Sequence, residues 1–240
     1  MKRGKMIKQK LIIDSIPAII WGENSPKVFI AVHGNMSNKS DDVIVILAEK
    51  LTQLGYQVLS FDLPEHGERQ NDKTPCKVLY CVKDLSAIME YAKTKWNEIS
   101  LFACSMGAYF SLLAYKDVDL KQCLFLSPVV DMERIINNLM SWFSISEAQL
   151  QAEKEVSTPI GQRLYWDYYC YVKKHPISSW KKPTAILYGS ADDLCEFDTV
   201  SNFAQHFNCD LTVMKHGEHY FHTEKQLAFF KHWIENHIVV

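Results

Sequence analysis

Apolar and polar positions along this chain follow two periods that alternate from one segment to the next. Short, nearly continuous runs of β-branched and aromatic residues are typical of buried strands, whereas apolar residues three or four positions apart are typical of helices. The continuous runs predict strands over residues 11–16, 18–21, 27–32, 57–63, 99–104, 122–126, 184–188 and 211–214.

Helical spacing fills the intervals between these runs. It predicts one helix from a cap at Ser40 to a stop at Gly55, and a last helix that opens with Thr223 and Gln226 in capping-box spacing. Strands that are apolar throughout and alternate with amphipathic helices indicate an α/β fold with a mostly parallel sheet covered on both faces. Further helices are predicted over residues 78–94, 106–115 and 197–207.

One long segment, between the strands that end at residue 126 and begin at residue 184, contains no clear strand. Long insertions of this kind are functional lids or disordered linkers, and this one is too aromatic for disorder. Ser144 and Glu147 stand in capping-box spacing and predict a helix inside it. We therefore expect a single α/β domain over residues 1–240, with a lid or cap insertion at about 129–182.

The charge balance argues against one class of partner. Lys plus Arg number 26 against 28 Asp plus Glu, a formal net charge of −2, whereas nucleic-acid binding requires a clustered basic surface. The 7 cysteines are odd in number and form no C-x-x-C pair, so neither a disulfide framework nor a thiolate zinc site is indicated. A reducing, cytoplasmic location is expected.

The basic segment over residues 2–10 and the apolar run that starts at Leu11 imitate the beginning of a secretory signal. Asp14 and Pro17 interrupt that run, and no small-x-small cleavage site follows. No stretch approaches the roughly 18 uncharged apolar residues that a membrane span needs. Neither a signal peptide nor a membrane span is expected.

A candidate nucleophile lies where the strand over residues 99–104 runs directly into a helix. A nucleophile elbow needs small residues two positions before and after the nucleophile, because backbones approach closely there; Ala103 and Gly107 meet that need around Ser105. Cys104 is a rival, since thiolates are strong nucleophiles, but it would place a phenylalanine and a methionine at the small positions. The alternative for Ser105 is a simple helix cap.

His33 and Gly34 follow a central strand and begin a loop that could hold a developing oxyanion. Backbone N–H groups at the end of a strand, together with the N–H after the nucleophile, commonly form such a hole. The donors would then be Asn35 and Met106. A plain glycine turn, in which His33 only caps the strand, is the alternative.

An acid and a base for the serine are available in the last two loops. Asp192 and Asp193 follow the strand over residues 184–188, and either could orient a histidine, although acids after glycine are often turn residues. The histidines follow the last strand. The order serine, acid, histidine is the one found in α/β-hydrolases. The spacing of three between these histidines matches no H-E-x-x-H motif, so no metal site is expected. They are His216, His219 and His222.

Taken together, these motifs resemble the α/β-hydrolase superfamily over nearly the whole chain, in particular small bacterial esterases and the dienelactone-hydrolase-like group. Residues 61–69 are similar to its Asp-x-Pro-Gly-His-Gly loop, with Glu65 in place of a glycine and His66 as a structural residue. Gly189-x-x-Asp192 resembles the acid loop, and Gly217-x-His219 resembles the histidine loop.

The resemblance implies a catalytic triad of Ser105, Asp192 and His219, with Asp193 and then Asp131 as reserve acids. It implies cleavage of small to medium carboxylic esters through an acyl-enzyme, without a cofactor. A thioesterase or acyltransferase, a peptidase of short substrates and a non-catalytic binding protein are the alternatives.

The insertion stands where the family carries its lid, so the resemblance implies that its aromatic side chains line the substrate pocket. Simple packing of the insertion onto the body is the alternative. Whether copies of the chain form a homo-oligomer is left open. The aromatic residues singled out for substrate binding are Trp142, Tyr165, Trp166 and Tyr169.

Overall fold

The computed structural model describes residues 6–239. The first part of the basic segment used in the argument about secretion, residues 2–5, lies outside the described residues. The strands are β1 Lys8–Ile13, β2 Ile16–Trp21, β3 Lys27–Val32, β4 Gln57–Phe61, β5 Glu98–Cys104, β6 Cys123–Leu126, β7 Glu155–Ser157, β8 Arg163–Tyr165, β9 Thr184–Gly189 and β10 Asp210–Met214. The helices are α1 Asp42–Gln53, α2 Val78–Lys95, α3 Met106–Ala114, α4 Met132–Trp142, α5 Glu147–Glu153, α6 Trp166–Lys174, α7 Phe197–His206 and α8 Glu224–His237.

Eight strands form one sheet in the order β1-β2-β4-β3-β5-β6-β9-β10. β1 and β2 are antiparallel to each other, and β2 is antiparallel to β4. Every other neighbouring pair is parallel. The prediction of an α/β fold with a mostly parallel sheet is confirmed.

Apolar side chains on the two faces of the sheet form two separate cores. On one face, α2, α3, α7 and the insertion cover the side chains of β3, β5 and β6 that point toward them. On the other face, α1 and α8 cover the opposite set. Central strands must therefore be apolar at every position, as β3 is from Val28 to Val32, all at most 1% exposed.

Two helix caps differ from their predictions. Asp41, not Ser40, caps α1 by accepting from the N–H of Asp42, because the helix begins at Asp42; the Ser40 hydroxyl donates to Asn38. Ser146, not Ser144, caps α5 by accepting from the N–H of Gln149. The capping box of Thr223 and Gln226 at α8 forms as predicted.

The insertion between β6 and β9 is more regular than its sequence indicated. It contains α4, α5, a hairpin of β7 and β8, and α6. α4 packs on α6, and the Tyr169 hydroxyl of α6 donates to Asn137 of α4 over 2.8 Å. Within residues 6–239 no helix combines the length and the apolar composition that crossing a membrane requires.

Candidate active site

The predicted site residues lie on loops that follow β3, β5, β9 and β10. These strands are parallel through a continuous set of neighbours, so their carboxyl ends open at the same edge of the sheet. Ligands of open α/β sheets bind in the crevice at this edge. The sheet order alone therefore gathers loops that are distant in sequence.

Ser105 occupies the single position between β5 and α3, in a strained backbone conformation. Its φ is 48° and its ψ is −124°, a region that non-glycine residues rarely adopt and that costs about 1–3 kcal/mol. Hydrogen bonds on both sides hold it there: its N–H donates to Leu126 O (3.1 Å), and its carbonyl accepts from Val129 N (3.0 Å). The turn is fixed by the neighbouring strand end.

Two glycines make this turn possible by allowing close backbone approach. A Cβ at Gly107 would lie 2.4 Å from the carbonyl oxygen of His33 and 2.9 Å from that of Val32. A Cβ at Gly34 would lie 3.0 Å from Cβ of Ser105. The loop after β3 therefore lies directly against the serine, which no larger residue at position 34 or 107 would allow.

The structure brings Ser105, His219 and Asp192 into one chain of hydrogen bonds. Ser105 Oγ lies 2.8 Å from His219 Nε2, and His219 Nδ1 lies 2.8 Å from Asp192 Oδ2. A carboxylate only accepts, so Nδ1 carries the proton and Nε2 is free to accept from the serine hydroxyl. The Asp192 side chain is fully buried, and its Oδ1 accepts from the N–H groups of Leu194 (2.9 Å) and Cys195 (2.8 Å).

The acid loop and the histidine loop touch through their backbones. A Cβ at Gly189 would lie 2.3 Å from the carbonyl oxygen of Gly217. The N–H of Ala191 donates to that same oxygen over 2.7 Å, and the N–H of His216 donates to Ser190 Oγ over 2.8 Å. These contacts fix the position of Asp192 relative to His219.

The alternative residues lie elsewhere. Asp193 is exposed, and Asp131 caps α4 by accepting from the N–H of Arg134. Burial raises the pKa of the Cys104 thiol far above its ordinary value, so that thiol stays protonated. Neither reserve acid bonds His219, and Cys104 lacks the ionised form that a nucleophile needs.

The loop predicted to supply an oxyanion donor is held by His66. The N–H of Met36 donates to His66 Nε2 over 3.1 Å, and Asn35 Oδ1 lies 3.2 Å from the same nitrogen. Met106 is the first residue of α3, and first-turn N–H groups have no partner within their helix. Asn35 and Met106 stay the predicted oxyanion donors, and His66 positions the loop that contains Asn35.

A buried ion pair joins the loops after β3 and β4. Lys39 is 4% exposed and its ammonium contacts Asp62 and, over 2.9 Å, Glu68. Burial alone would lower the pKa of Lys39, but the bonds to Asp62 and Glu68 outweigh burial and raise it. Gly67, at φ +55°, leaves room for the carboxylate, since a Cβ there would lie 2.3 Å from an Asp62 oxygen.

Solved structures similar to this chain include esterases and serine hydrolases. Est1E from Butyrivibrio proteoclasticus with ferulic acid bound matches at a TM-score of 0.74 and 20% identity, over 95% of this chain and 98% of that one. The chain has the α/β-hydrolase fold. Mouse alpha/beta hydrolase domain-containing protein 10 matches at a TM-score of 0.75 and 17% identity, over 96% and 97% of the two chains.

A third structure with the α/β-hydrolase fold bears on the insertion. It is a Xanthomonas campestris serine hydrolase described as lacking a lid, with a TM-score of 0.67 and 15% identity over 97% of this chain and 93% of that one. No protein-family model matches the chain, and no curated protein does. None of these comparisons tests whether the insertion covers the site, so its role as a lid stays a prediction.

On this α/β-hydrolase fold, a cleft of about 760 Å³ opens beside His219. Trp142, Leu194 and Tyr220 supply its apolar wall, and Asp193 and Glu218 add two acidic side chains. Sequence reasoning missed Leu194 and Tyr220, although each lies within two residues of Asp192 or His219. The volume of the cleft suits a small organic ligand, since pockets for such ligands span about 300–1,000 Å³.

Of the four insertion aromatics predicted to bind substrate, Trp142 lines this cleft and is 53% exposed. Tyr165 and Tyr169 are buried, at 8% and 4% exposed, and Trp166 packs against the ring of Tyr169 with centroids 6.1 Å apart. These three do not line the cleft, because their rings pack within the insertion and, for Tyr165, beside Lys77 of the body. Packing, the alternative considered for them, accounts for their position.

Asp192 and His219 also belong to the one group of residues, within residues 6–239, whose donor atoms have the spacing of metal ligands. Asp192, Cys195 and His219 place donor atoms within 4.8 Å of one another, whereas His216 and His222 do not join them. Both oxygens of Asp192 already accept hydrogen bonds, and burial raises the pKa of the Cys195 thiol. This donor set fits a triad better than a metal ion.

His33 beneath the oxyanion loop makes stability depend on pH. Burial lowers its pKa to about 4, against the bond that Nδ1 donates to Gly34 O over 2.7 Å. Nε2 accepts from Leu63 N–H over 3.0 Å, which only an unprotonated nitrogen can do. Between about pH 6.5 and 4 the unfolded chain binds a proton that the folded chain does not. Stability therefore falls with acidification, by about 2 kcal/mol between pH 7.5 and 5.

Urea unfolding at these two pH values, for the wild type and for His33→Gln, measures this contribution. The amide keeps a donor and an acceptor but does not titrate. The variant should lose about 2 kcal/mol less on acidification than the wild type, whatever its absolute stability. An identical loss in both proteins would contradict the assignment.

Proposed function

We propose that this protein is a serine hydrolase that cleaves carboxylic esters of small to medium size through an acyl-enzyme on Ser105. The observation that supports it most is the chain of two 2.8 Å contacts from Asp192 through His219 to Ser105. The serine stands in a strained turn, and the histidine that it contacts lines a cleft. Such geometry is what acyl transfer requires.

The mechanism assigns one role to each group. His219 Nε2 takes the proton of the Ser105 hydroxyl as its oxygen attacks the ester carbonyl, and the Asp192 carboxylate stabilises the imidazolium that forms. The N–H groups of Asn35 and Met106 donate hydrogen bonds to the carbonyl oxygen and stabilise the negative charge that develops on it. His219 then gives its proton to the leaving alcohol, which leaves the acyl group on Ser105. A water molecule, deprotonated by His219, attacks this acyl-enzyme and releases the carboxylic acid.

The cleft beside His219 limits the substrate. Its apolar wall favours an alkyl or aryl group, and Est1E, which has the same fold, holds ferulic acid in its structure. Asp193 and Glu218 should repel an anionic substrate, because like charges in a shared cleft oppose binding. Uncharged esters with a short alkyl or single-ring acyl group are the class that we propose.

Labelling with a fluorophosphonate tests for an activated serine directly. Trypsin would release the serine on a peptide over residues 96–116, which also contains Ser100 and Ser111. Those two are fully buried, so fragmentation of the labelled peptide should place a single adduct on Ser105. An adduct on another residue, or none on folded protein, would contradict the proposal and favour a non-catalytic binding protein.

An ester panel then tests the chemistry. p-Nitrophenyl esters of increasing acyl length, a hydroxycinnamate methyl ester and a hemisuccinate ester compare length, ring and charge. We expect the neutral short esters to react and the anionic one to react at least tenfold more slowly. Matched thioester and aminoacyl amide substrates separate an esterase from a thioesterase or a peptidase on the same residues. Faster turnover of either would overturn the ester assignment.

A further inference from the structure

A pair of thiols lies outside the triad, at the start of α2. Cys76 precedes the helix and Cys81 lies in its first turns, with their sulfur atoms 3.6 Å apart. Cys76 is half-buried and Cys81 is fully buried. No step of the proposed ester hydrolysis uses either residue.

The surroundings of this pair make the two sulfurs unequal. The sulfur of Cys81 lies within hydrogen-bonding distance of Cys76. This contact and the nearby His66 lower the pKa of Cys76 to about 6, against burial and the Glu65 carboxylate. Burial is the main cause that raises the pKa of Cys81, and its hydrogen bond with Cys76 is the second. A thiol that is partly exposed and ionised near neutral pH is the reactive kind.

The remaining cysteines lack this combination. Burial raises the pKa of four of them, and none of these four has a second sulfur as a hydrogen-bonding neighbour within residues 6–239. Cys170 is half-buried, like Cys76, and serves as the matched control. The four are Cys104, Cys123, Cys195 and Cys209.

We infer that Cys76 is a modification site for hydrogen peroxide, and that Cys81 resolves the product into a reversible Cys76–Cys81 disulfide. The Cys76 thiolate attacks one peroxide oxygen, which breaks the O–O bond, releases hydroxide and leaves a sulfenic acid. The Cys81 sulfur then displaces that hydroxyl group as water while its proton is lost. Two thiols are oxidised and one peroxide is reduced to two water molecules.

This bond would act on the loop beside Ser105. The two sulfurs lie 3.6 Å apart and a disulfide holds them at about 2 Å, so forming it must draw the segment that contains Cys76 toward Cys81. His66 contacts Cys76 and also accepts from the N–H of Met36 in the oxyanion loop. Oxidation should therefore lower kcat/KM, by up to about a hundredfold for a displacement near 1 Å. This second effect rests on the proposed function.

The same segment is tied to the insertion. The ammonium of Lys77 bonds the Asp167 carboxylate of α6 over 2.9 Å and lies 4.1 Å from the centroid of the Tyr165 ring. The N–H of Cys76 donates to Glu65 over 2.8 Å, and Glu65 bonds Arg163 of β8. The thiol pair thus lies where the oxyanion loop, α2 and the insertion meet.

Peptide mapping tests the disulfide without any variant. Trypsin cleaves after Lys77 and so separates the two cysteines into peptides over residues 74–77 and 78–83. After treatment with a slight excess of hydrogen peroxide and blocking of free thiols, these two peptides should appear joined, and a thiol reductant should separate them. Oxidation confined to Cys170 or Cys209, or no joined peptide, would overturn the inference.

Variants then assign the order of events. Cys81→Ala should trap a sulfenic acid on Cys76 that dimedone labels, Cys76→Ser should give neither dimedone label nor disulfide, and Cys170→Ser should behave as the wild type. If Cys81 in Cys76→Ser were labelled by dimedone as strongly as Cys76 in Cys81→Ala, the assigned roles would be contradicted. Activity is measured on the same samples: a disulfide without loss of activity would refute only the effect on the oxyanion loop. Absence of activity before oxidation would count against the proposed function and leave the disulfide result intact.

Discussion

Ser105→Ala is expected to lower the kcat of ester hydrolysis by about four to six orders of magnitude, leaving only the residual rate that binding and the oxyanion donors support. Without the hydroxyl no acyl-enzyme can form, and His219 retains no proton to take from position 105. The fold should persist, because the bonds that hold the turn run through the backbone of residue 105 to Leu126 and Val129. Steady-state hydrolysis of a neutral p-nitrophenyl ester, with circular dichroism as a check on folding, measures the effect.

Ser127→Ala is the matched control. Ser127 follows β6, has a φ of 44° and is buried, and its hydroxyl makes no hydrogen bond within residues 6–239. Its removal should therefore leave kcat within about threefold of the wild type. If Ser105→Ala kept more than about 1% of the activity while Ser127→Ala lost most of it, the nucleophile would be misassigned.

Asp192→Asn is expected to lower kcat by about ten-thousandfold with little change in KM. The Asp192 Oδ1 atom accepts from two backbone N–H groups, so the amide oxygen of asparagine would take that position and its NH₂ would face His219. Nδ1 must then accept rather than donate, which moves the proton to Nε2. A protonated Nε2 cannot accept from Ser105.

Asp193→Asn is the comparison that decides between the two neighbouring acids. The Asp193 side chain is exposed and makes no bond to His219, so this change should cost a neutral ester no more than a few-fold in kcat. It should also speed the hydrolysis of an anionic ester, because one acidic group leaves the cleft. If Asp193→Asn were the more damaging of the two changes, the acid of the triad would have to be reassigned.

Much of the fold could be predicted from the sequence because burial on both faces forces a strand to be apolar throughout. β3 is predicted at its observed bounds for this reason. β1 is an edge strand whose first residues, Lys8 to Lys10, are exposed, so its beginning carries no apolar pattern. The three-residue strands β7 and β8 are too short for a period of two to appear.

The insertion shows where more could have been predicted. α4 has apolar residues at helical spacing, from Met132 to Met140, after a capping Asp131. That pattern is visible in the sequence and predicts a helix with Asp131 as its cap rather than as a reserve acid. By contrast, nothing local indicates that Tyr165 and Tyr169 are buried while Trp142 borders the cleft. Those positions depend on how α4 and α6 pack together.

The candidate site divides in the same way. Ser105, His219 and Asp192, which hydrogen bonds join, could be singled out because each stands in a short motif after a strand. The partners of His66 could not, since its contacts with Met36 and Cys76 join three segments that are distant in sequence. Contacts of that kind are fixed by tertiary packing rather than by any local pattern.

The backbone contact between Gly189 and Gly217 has a consequence for directed evolution of this scaffold. Because the two loops share a surface with no room for a methyl group, a change in the conformation of one loop must be matched by a change in the other. A library that randomises the acid loop alone would mostly disturb the histidine as well, and a loop graft from another hydrolase should succeed only when both segments are transferred together. Under the proposed function, substrate range is therefore better varied at Trp142, which lines the cleft from the end of α4 and lies outside both loops.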